Sequence, residues 1–118
     1  MKTVKLAIVG GRDFQDYEFM KTKLAELGKK LRIVLVVSGG ARGADTLGER
    51  WADENGIPKN IFPALWDKYG KSAGFRRNRD IVAGSDAVAA FWDGRSRGTE
   101  NTIAIARAAG KPVYIFRY

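Results

Sequence analysis

The chain has 118 residues, which suits one compact domain, and its apolar fraction of 45% and charged fraction of 29% are those of a globular protein. Neither cysteine nor histidine occurs, which excludes a disulfide framework, a thiolate nucleophile, a Ser-His-Asp triad and a histidine-bearing zinc site. The net charge of +8 favours polyanionic partners, and nucleic acid, nucleotides and simple solubility are all compatible with it.

The first half of the chain alternates continuous apolar runs with amphipathic segments. In chain order, it predicts a strand at residues 4–9, a helix from Asp16 to Gly28, a strand at 33–37 and a helix at 44–55. Asp16 is the expected N-cap of the first helix, and Gly28 is expected to end it as a C′ residue. One face of this helix is expected to carry Tyr17, Met20, Leu24 and Leu27.

The second half continues the same alternation. It predicts a weaker strand at residues 59–64, a loop at 65–74, a helix at 73–83, a strand at 86–91, a helix at 99–109 and a last strand at 112–116. Five strands separated by four helices are typical of a parallel sheet with helices on both faces. The predicted fold is therefore one α/β domain over residues 1–118, a doubly wound, Rossmann-like sheet of about five strands.

The N-terminal segment carries no targeting or membrane signal. Its apolar run at residues 6–9 is too short for a signal-peptide core or a membrane span. We therefore expect a cytoplasmic protein with no membrane partner.

Glycine and arginine concentrate where a ligand is expected to bind. In an open parallel sheet, the loops that lead from strands into helices emerge at the carboxyl edge, where ligands bind. The predicted edge loops, at residues 10–15, 39–45, 66–79 and 92–100, hold nine of the 14 glycines and seven of the 11 arginines. Glycine lets backbone N–H groups approach a phosphate, and arginine binds phosphate oxygens with two parallel hydrogen bonds. The pattern predicts a pocket for a phosphorylated nucleotide.

The segment Ser-Gly-Gly-Ala-Arg-Gly-Ala-Asp at residues 38–45 lies between a strand and a helix. It is typical of a turn that cradles phosphate, although a tight turn alone would have the same composition. Asp45 either binds a ribose hydroxyl or caps the following helix. The candidate ligand residues of this segment are Ser38, Gly39, Gly40, Ala41, Arg42, Gly43 and Asp45.

Two further segments contribute candidate ligand residues. After the first strand come Gly10, Gly11 and Arg12, for which turn formation alone is the alternative role. Residues 69–79 form the most basic stretch, and part of this charge is expected to be merely solvated. Within it, the candidate ligand residues are Arg76 and Arg79, three positions apart on one helical face, together with Asn78.

The end of the fourth strand supplies the last candidates. Trp92 either stacks on a base or closes the core, and the core is slightly favoured. Gly98 and Thr99 open a helix, where Thr99 is either its N-cap or a ligand contact. Glu100 complements the helix dipole. Trp51 and Trp66 are expected to be packing residues.

These motifs together resemble the SLOG superfamily of Rossmann-like nucleotide-binding proteins, in particular its small YspA-like, cpYpsA-related members. The likeness covers residues 9–14, 37–45, 68–80 and 91–99 and thus spans nearly the whole chain in order. It implies one domain that binds a nucleotide or nucleotide-derived molecule, such as an ADP-ribose-like or signalling nucleotide, often as a homo-oligomer. Small members of this kind also occur in phage and mobile-element settings.

Two relatives within the superfamily imply different activities. LOG-type phosphoribohydrolases carry Pro-Gly-Gly-x-Gly-Thr-x-x-Glu, of which Gly98 and Thr99 match, whereas Thr102 stands in the glutamate position and the Pro-Gly-Gly is missing. The DNA-processing branch shares a similar Ser-Gly-Gly-Ala-x-Gly turn and binds single strands.

Three functions follow as hypotheses. The first is a module that binds a phosphorylated nucleotide for sensing, carrying or sequestering. The second is a hydrolase of an N-glycosidic or phosphate bond, with a candidate carboxylate among Glu100, Asp45 and Asp93. The third is a single-stranded nucleic-acid binder that uses Trp66, Tyr69, Phe75 and Trp92 as stacking platforms.

No cofactor is indicated by the sequence. Asp13, Asp45 and Asp93 are the residues that could jointly hold Mg²⁺, but no ligand spacing demands it.

Overall fold

Five parallel strands form one sheet in the computed structural model, which describes residues 1–118. The strands are β1 (Lys2–Gly10), β2 (Leu31–Ser38), β3 (Lys59–Ile61), β4 (Ala87–Trp92) and β5 (Val113–Arg117). Their order across the sheet is β3-β2-β1-β4-β5, and each neighbouring pair is parallel. The predicted Rossmann-like α/β fold is confirmed.

Helices cover both faces of the sheet. They are α1 (Tyr17–Gly28), α2 (Ala44–Glu54), α3 (Trp66–Tyr69), α4 (Ala73–Ala83) and α5 (Arg97–Ala108), with a 3₁₀ turn at Gly70–Ser72. The buried side chains of α1 and α2 belong to one hydrophobic cluster, and those of α4 and α5 belong to a second cluster on the opposite face. No helix is long and apolar enough to cross a bilayer.

The central strand β1 shows why its residues 6–9 are continuously apolar. Successive side chains of a strand point to opposite faces, so Leu6 and Ile8 pack into the first cluster while Ala7 and Val9 pack into the second. All four are buried. A strand with helices on both faces therefore needs an unbroken apolar run.

The start of α1 matches its prediction and its end does not. The Asp16 side chain accepts a hydrogen bond from the Phe19 N–H at 3.0 Å, so Asp16 is the N-cap. Gly28, however, lies inside the helix and does not have the positive φ of a C′ glycine. The helix instead ends at Lys29, whose N–H donates to the Glu26 carbonyl at 3.3 Å. An ordinary right-handed residue thus completes the last turn.

The region after β3 is more helical than its composition suggests. The strand predicted at residues 59–64 pairs only over Lys59–Ile61, with one further bond from the Phe62 N–H to the Ser38 carbonyl at 2.8 Å. Pro63 follows, and its missing N–H ends the pairing. The predicted loop at 65–74 contains α3 and the 3₁₀ turn.

The two tryptophans predicted to pack have different environments. Trp51 on α2 is buried in the first cluster, as predicted. Trp66 on α3 is 50% exposed, so its prediction as a packing residue is wrong. The reason is that α3 is a single turn that lies outside both hydrophobic clusters.

Leu24→Ala tests the first cluster. Leu24 is fully buried between α1 and the sheet, so its truncation should lower the free energy of unfolding by about 2–5 kcal/mol. Leu65→Ala is the matched control, because Leu65 is 51% exposed and its truncation should change stability little. Urea denaturation measures both, and equal losses would contradict the assigned core.

Candidate functional site

A polar cleft of about 370 Å³ opens at the carboxyl edge of the sheet. It lies where the strand order reverses, between the segment that follows β1 and the segment that follows β4, which is the usual ligand position in such sheets. Only three of its 15 lining residues are hydrophobic. A wall of this kind suits a charged, hydroxyl-rich ligand better than an apolar one.

The cleft brings together nine of the sequence-predicted residues. These are Gly10, Gly11, Arg12, Ala41, Asp45, Asn78, Asp93, Gly98 and Thr99. Asp13 also lines it. The edge loops after β1, β2 and β4 and helix α4 thus converge on one place.

Gly11 joins β1 to its neighbours at the base of the cleft. Its N–H donates to the Phe91 carbonyl at 3.2 Å, and its carbonyl accepts from the N–H groups of Phe14 at 3.3 Å and Ala44 at 3.1 Å. Gly43, with a φ of +76°, packs directly against this carbonyl, and a Cβ there would overlap it. Gly43 is therefore required by close backbone packing, whatever it contributes to a ligand.

The glycine-rich turn after β2 pairs two of its N–H groups within the protein. The Gly40 N–H donates to the Ser38 hydroxyl and the Ala41 N–H donates to Asp45 Oδ2, both at 3.2 Å. The Ser38 hydroxyl in turn donates to Glu49 Oε2 at 2.6 Å. The N–H groups of Gly40 and Ala41 are thus paired within the protein, whereas those of Arg42 and Gly43 have no acceptor within it. Phosphate binding by this turn stays a prediction.

Asp45 is a buried carboxyl that faces the cleft. Burial raises its pKa to about 6, although the hydrogen bond from Ala41 and the positive charge of Arg77 oppose the rise. It does not cap α2, because the N-cap position is Gly43 and no side chain caps that helix. Of its two predicted roles, helix capping is excluded by this geometry, and contact with a ribose hydroxyl stays a prediction.

Arg77 is the cleft residue that the sequence reasoning missed. Its Nη1 donates to the Gly39 carbonyl at 2.9 Å and its Nε to Asn78 Oδ1 at 3.2 Å. Burial lowers the pKa of Arg77; the charge of Asp45 raises it, and the charge of Arg12 lowers it further. The available signal is the four-residue spacing from Ala73 through Arg77 to Ile81, whose two apolar members are buried.

Arg76 and Arg79 lie elsewhere. They border a separate depression on the outer side of α4 and α5, together with Phe75. The Arg76 guanidinium stacks on the Tyr69 ring, 4.2 Å from its centroid. The two arginines do share a helical face, as predicted, but the structure does not bring that face to the cleft.

The remaining predicted residues lie around or behind the cleft wall. Gly39, Gly40 and Arg42 border an adjacent depression. Trp92 packs against the second cluster, and its Nε1 donates to the Ser96 carbonyl at 3.1 Å, which agrees with its packing role. Four predicted residues line neither the cleft nor this adjacent depression: Ser38, Gly43, Trp92 and Glu100.

The start of α5 also lines the cleft. Ser96, not Thr99, is its N-cap, because the Ser96 side chain accepts from the Thr99 N–H at 3.5 Å. No group of the protein accepts a hydrogen bond from the N–H groups of Arg97 and Gly98, as expected for the first turn of a helix. Gly98 lines the cleft, so these donors lie at its edge.

The cleft carboxylates do not form a metal site. Asp13 Oδ1 accepts from the Tyr118 hydroxyl at 2.7 Å, and burial together with this bond raises the pKa of Tyr118. Asp93 Oδ1 accepts from the N–H groups of Arg95 and Ser96 at 2.8 and 2.9 Å, which lowers the pKa of Asp93. No group of three carboxylates is close enough to hold a metal ion, so the geometry does not support joint Mg²⁺ binding.

The sheet order and the polar cleft define a Rossmann-like α/β protein. Residues 4–69 match the YAcAr family, described as the YspA, cpYpsA-related SLOG family, and the chain belongs to this family. It is 40% identical over 121 residues to the Gene 61 protein of Mycobacterium phage D29, with 95% of each chain covered. The resemblance identified from the sequence motifs is confirmed.

A solved structure shows the same fold. The X-ray structure of DNA processing protein A from Streptococcus pneumoniae matches 94% of this chain with a TM-score of 0.73 and 23% identity. The chain corresponds to 49% of that protein, about half its length.

Asp45→Asn tests the buried carboxyl through the pH dependence of stability. Unfolded Asp45 ionises near its ordinary pKa of 3.8, whereas folded Asp45 keeps its proton to about pH 6, so the wild type loses stability as pH rises through this window. Asparagine cannot ionise, so the variant should gain up to about 3 kcal/mol relative to the wild type across the window.

The control for this experiment is Asp93→Asn, measured by the same urea denaturation. The pKa of Asp93 is lowered in the folded state, so the wild type gains stability as Asp93 ionises and the relative stability of this variant should fall as pH rises. If the free energy of unfolding changed with pH in the same way in the wild type and in Asp45→Asn, the raised pKa of Asp45 would be refuted.

Proposed function

We propose that the protein binds a phosphorylated nucleotide or nucleotide-derived ligand in the cleft between β1 and β4. The phosphate lies between Arg12 and Arg77, and the ligand is of the ADP-ribose or signalling-nucleotide kind. The role is to sense, carry or sequester this ligand. Membership of the SLOG family and the position of the cleft at the strand-order reversal support the proposal.

The observation that carries the proposal is unpaired positive charge. The structure has four ion pairs, and none of them includes Arg12, Arg42 or Arg77. Arg12 donates no hydrogen bond within the protein, and its charge contributes to the lowered pKa of Arg77. Two guanidinium groups close enough to repel each other are stabilised by an anion placed between them.

The start of α5 supplies neutral donors to the same cleft. The N–H groups of Arg97 and Gly98 have no acceptor within the protein, and the helix dipole favours negative charge at this end. The cleft carboxyls fit the other part of a nucleotide, because Asp45 and Asp13 can accept hydrogen bonds from ribose hydroxyls.

A hydrolase is the second candidate, favoured by Asp45 alone. A buried carboxyl with a pKa raised to about 6 in a polar cleft is suited to hold or move a proton of an attacking water. Glu100 is exposed and does not line the cleft, and Asp93 has a lowered pKa. Chromatography of AMP and ADP-ribose incubated with the protein tests it: release of free base that Asp45→Asn abolishes supports hydrolysis, and no release supports binding alone.

Nucleic acid and self-association belong to the same set of proposals. The shared fold with a DNA processing protein and the net charge of +8 support a single-stranded nucleic-acid ligand as the less favoured alternative. Binding of an oligonucleotide that weakens steeply with added salt would favour it over a mononucleotide. The homo-oligomer implied by the family resemblance is tested by sedimentation of the purified protein.

Calorimetric titration with ADP tests the binding proposal. Arg12→Ala and Arg77→Lys should each weaken ADP binding by about tenfold or more, because each loses charge-assisted hydrogen bonds to phosphate. Arg79→Ala is the matched control, because Arg79 lies two positions after Arg77 on α4 but borders the separate depression on the outer side of α4 and α5. It should leave ADP affinity unchanged.

A wider panel covers the identity of the ligand. Thermal shifts with AMP, ADP, ADP-ribose and cyclic nucleotides should include at least one stabilising ligand, because a ligand that binds only the folded state raises the melting temperature. A flat response to the whole panel, or a loss of ADP affinity in Arg79→Ala alone, would contradict the proposal.

A further inference from the structure

The adjacent depression that Gly39, Gly40 and Arg42 border is a second depression beside the cleft, with a volume of about 320 Å³. Three residues line both: Arg12, Ala41 and Arg77. The two guanidinium groups that attract phosphate therefore stand at the junction between two spaces, with the cleft on one side and the second depression on the other.

The second depression has an aromatic wall. Trp66 lines it together with Pro63 and Ala64, and the Gly39–Arg42 turn lines it as well. Trp66 is 50% exposed, in contrast to the buried Trp51. Its Cη2 atom lies over Gly74, where an added Cβ would be 3.4 Å away, so helix α4 supports one edge of the ring.

We propose that the ligand contains two nucleoside units joined through phosphate, and that the second base stacks on Trp66. One nucleoside occupies the cleft, the linking phosphates lie between Arg12 and Arg77, and the second nucleoside occupies the adjoining depression. This inference rests on the proposed function of the cleft. Stacking on an indole ring tolerates any base, because every base has a π face.

The charges around the depression favour this occupant over a protein segment. Exposed Leu65 and Trp66 would suit an apolar peptide. Arg12, Arg42 and Arg77 line the same space, however, and none of them is in an ion pair. An apolar peptide would bury these charges without partners, which is strongly unfavourable, whereas a nucleotide supplies both the phosphate and the planar ring.

The test compares two probes that differ in the second base. Diadenosine diphosphate carries two adenosines on a pyrophosphate, and ADP-ribose carries the same pyrophosphate and second ribose without the second adenine. In the wild type, calorimetry should give about tenfold tighter binding of diadenosine diphosphate. Trp66→Ala should remove this difference and leave the affinity for ADP-ribose unchanged.

The control variant changes another exposed aromatic residue, and the rescue variant keeps an aromatic ring at position 66. Phe75 is 52% exposed but borders the other depression, so Phe75→Ala should leave both affinities unchanged. Trp66→Phe should keep part of the preference for diadenosine diphosphate, because a phenyl ring still stacks. Diadenosine diphosphate should quench the tryptophan fluorescence of the wild type more than that of Trp66→Phe.

Failure of this inference can be told apart from failure of the proposed function. Equal wild-type affinities for the two probes, or an equal loss of both in Trp66→Ala, would overturn the second subsite, while ADP-ribose binding that depends on Arg77 would leave the cleft proposal standing. A Trp66 dependence seen only with an oligodeoxyadenylate would also overturn it and assign the depression to a single strand. Binding of neither probe would overturn both proposals.

Discussion

The hydrogen bonds of Gly11 determine how the edge of this sheet is built. Its N–H donates to β4 at Phe91, and its carbonyl accepts from the first residue of α2 at Ala44. A side chain at Gly43 would not fit beside that carbonyl. Backbone contacts at Gly11 therefore join the ends of β1 and β4 to the start of α2, and polar side chains of the same loops line the cleft.

Most of the fold could be predicted from sequence because strands buried on both faces leave a strong pattern. Residues 6–9 and 33–37 are continuous apolar runs within the predicted strands, and both lie in strands with a neighbour on each side. The predicted strand at residues 59–64 is longer than the edge strand β3, because the three residues of β3 are all exposed and leave little pattern of burial in the sequence. The loop prediction at 65–74 failed because one-turn helices have too few residues to show a period.

The candidate site could be predicted in position but not in detail. Chain direction alone placed Arg12, Asp45 and Gly98 at one edge, and the structure brings them to one cleft. The choice among the arginines of α4 failed because residue spacing gives a shared helical face without saying which way that face points. The glycine-rich turn suggests a cradle of N–H donors, and two of these donors, at Gly40 and Ala41, are paired with the Ser38 hydroxyl and Asp45.

The account therefore depends on the charge of Arg12 and Arg77 rather than on the glycine-rich turn. Backbone NMR during titration with ADP tests this most directly, because each amide reports its own surroundings. The account predicts that the largest shift changes fall on Arg12, Arg77 and Gly98, with little change at Ser72 and Arg79. Changes centred on Ser72 and Arg79, with an unaffected Gly98, would contradict it.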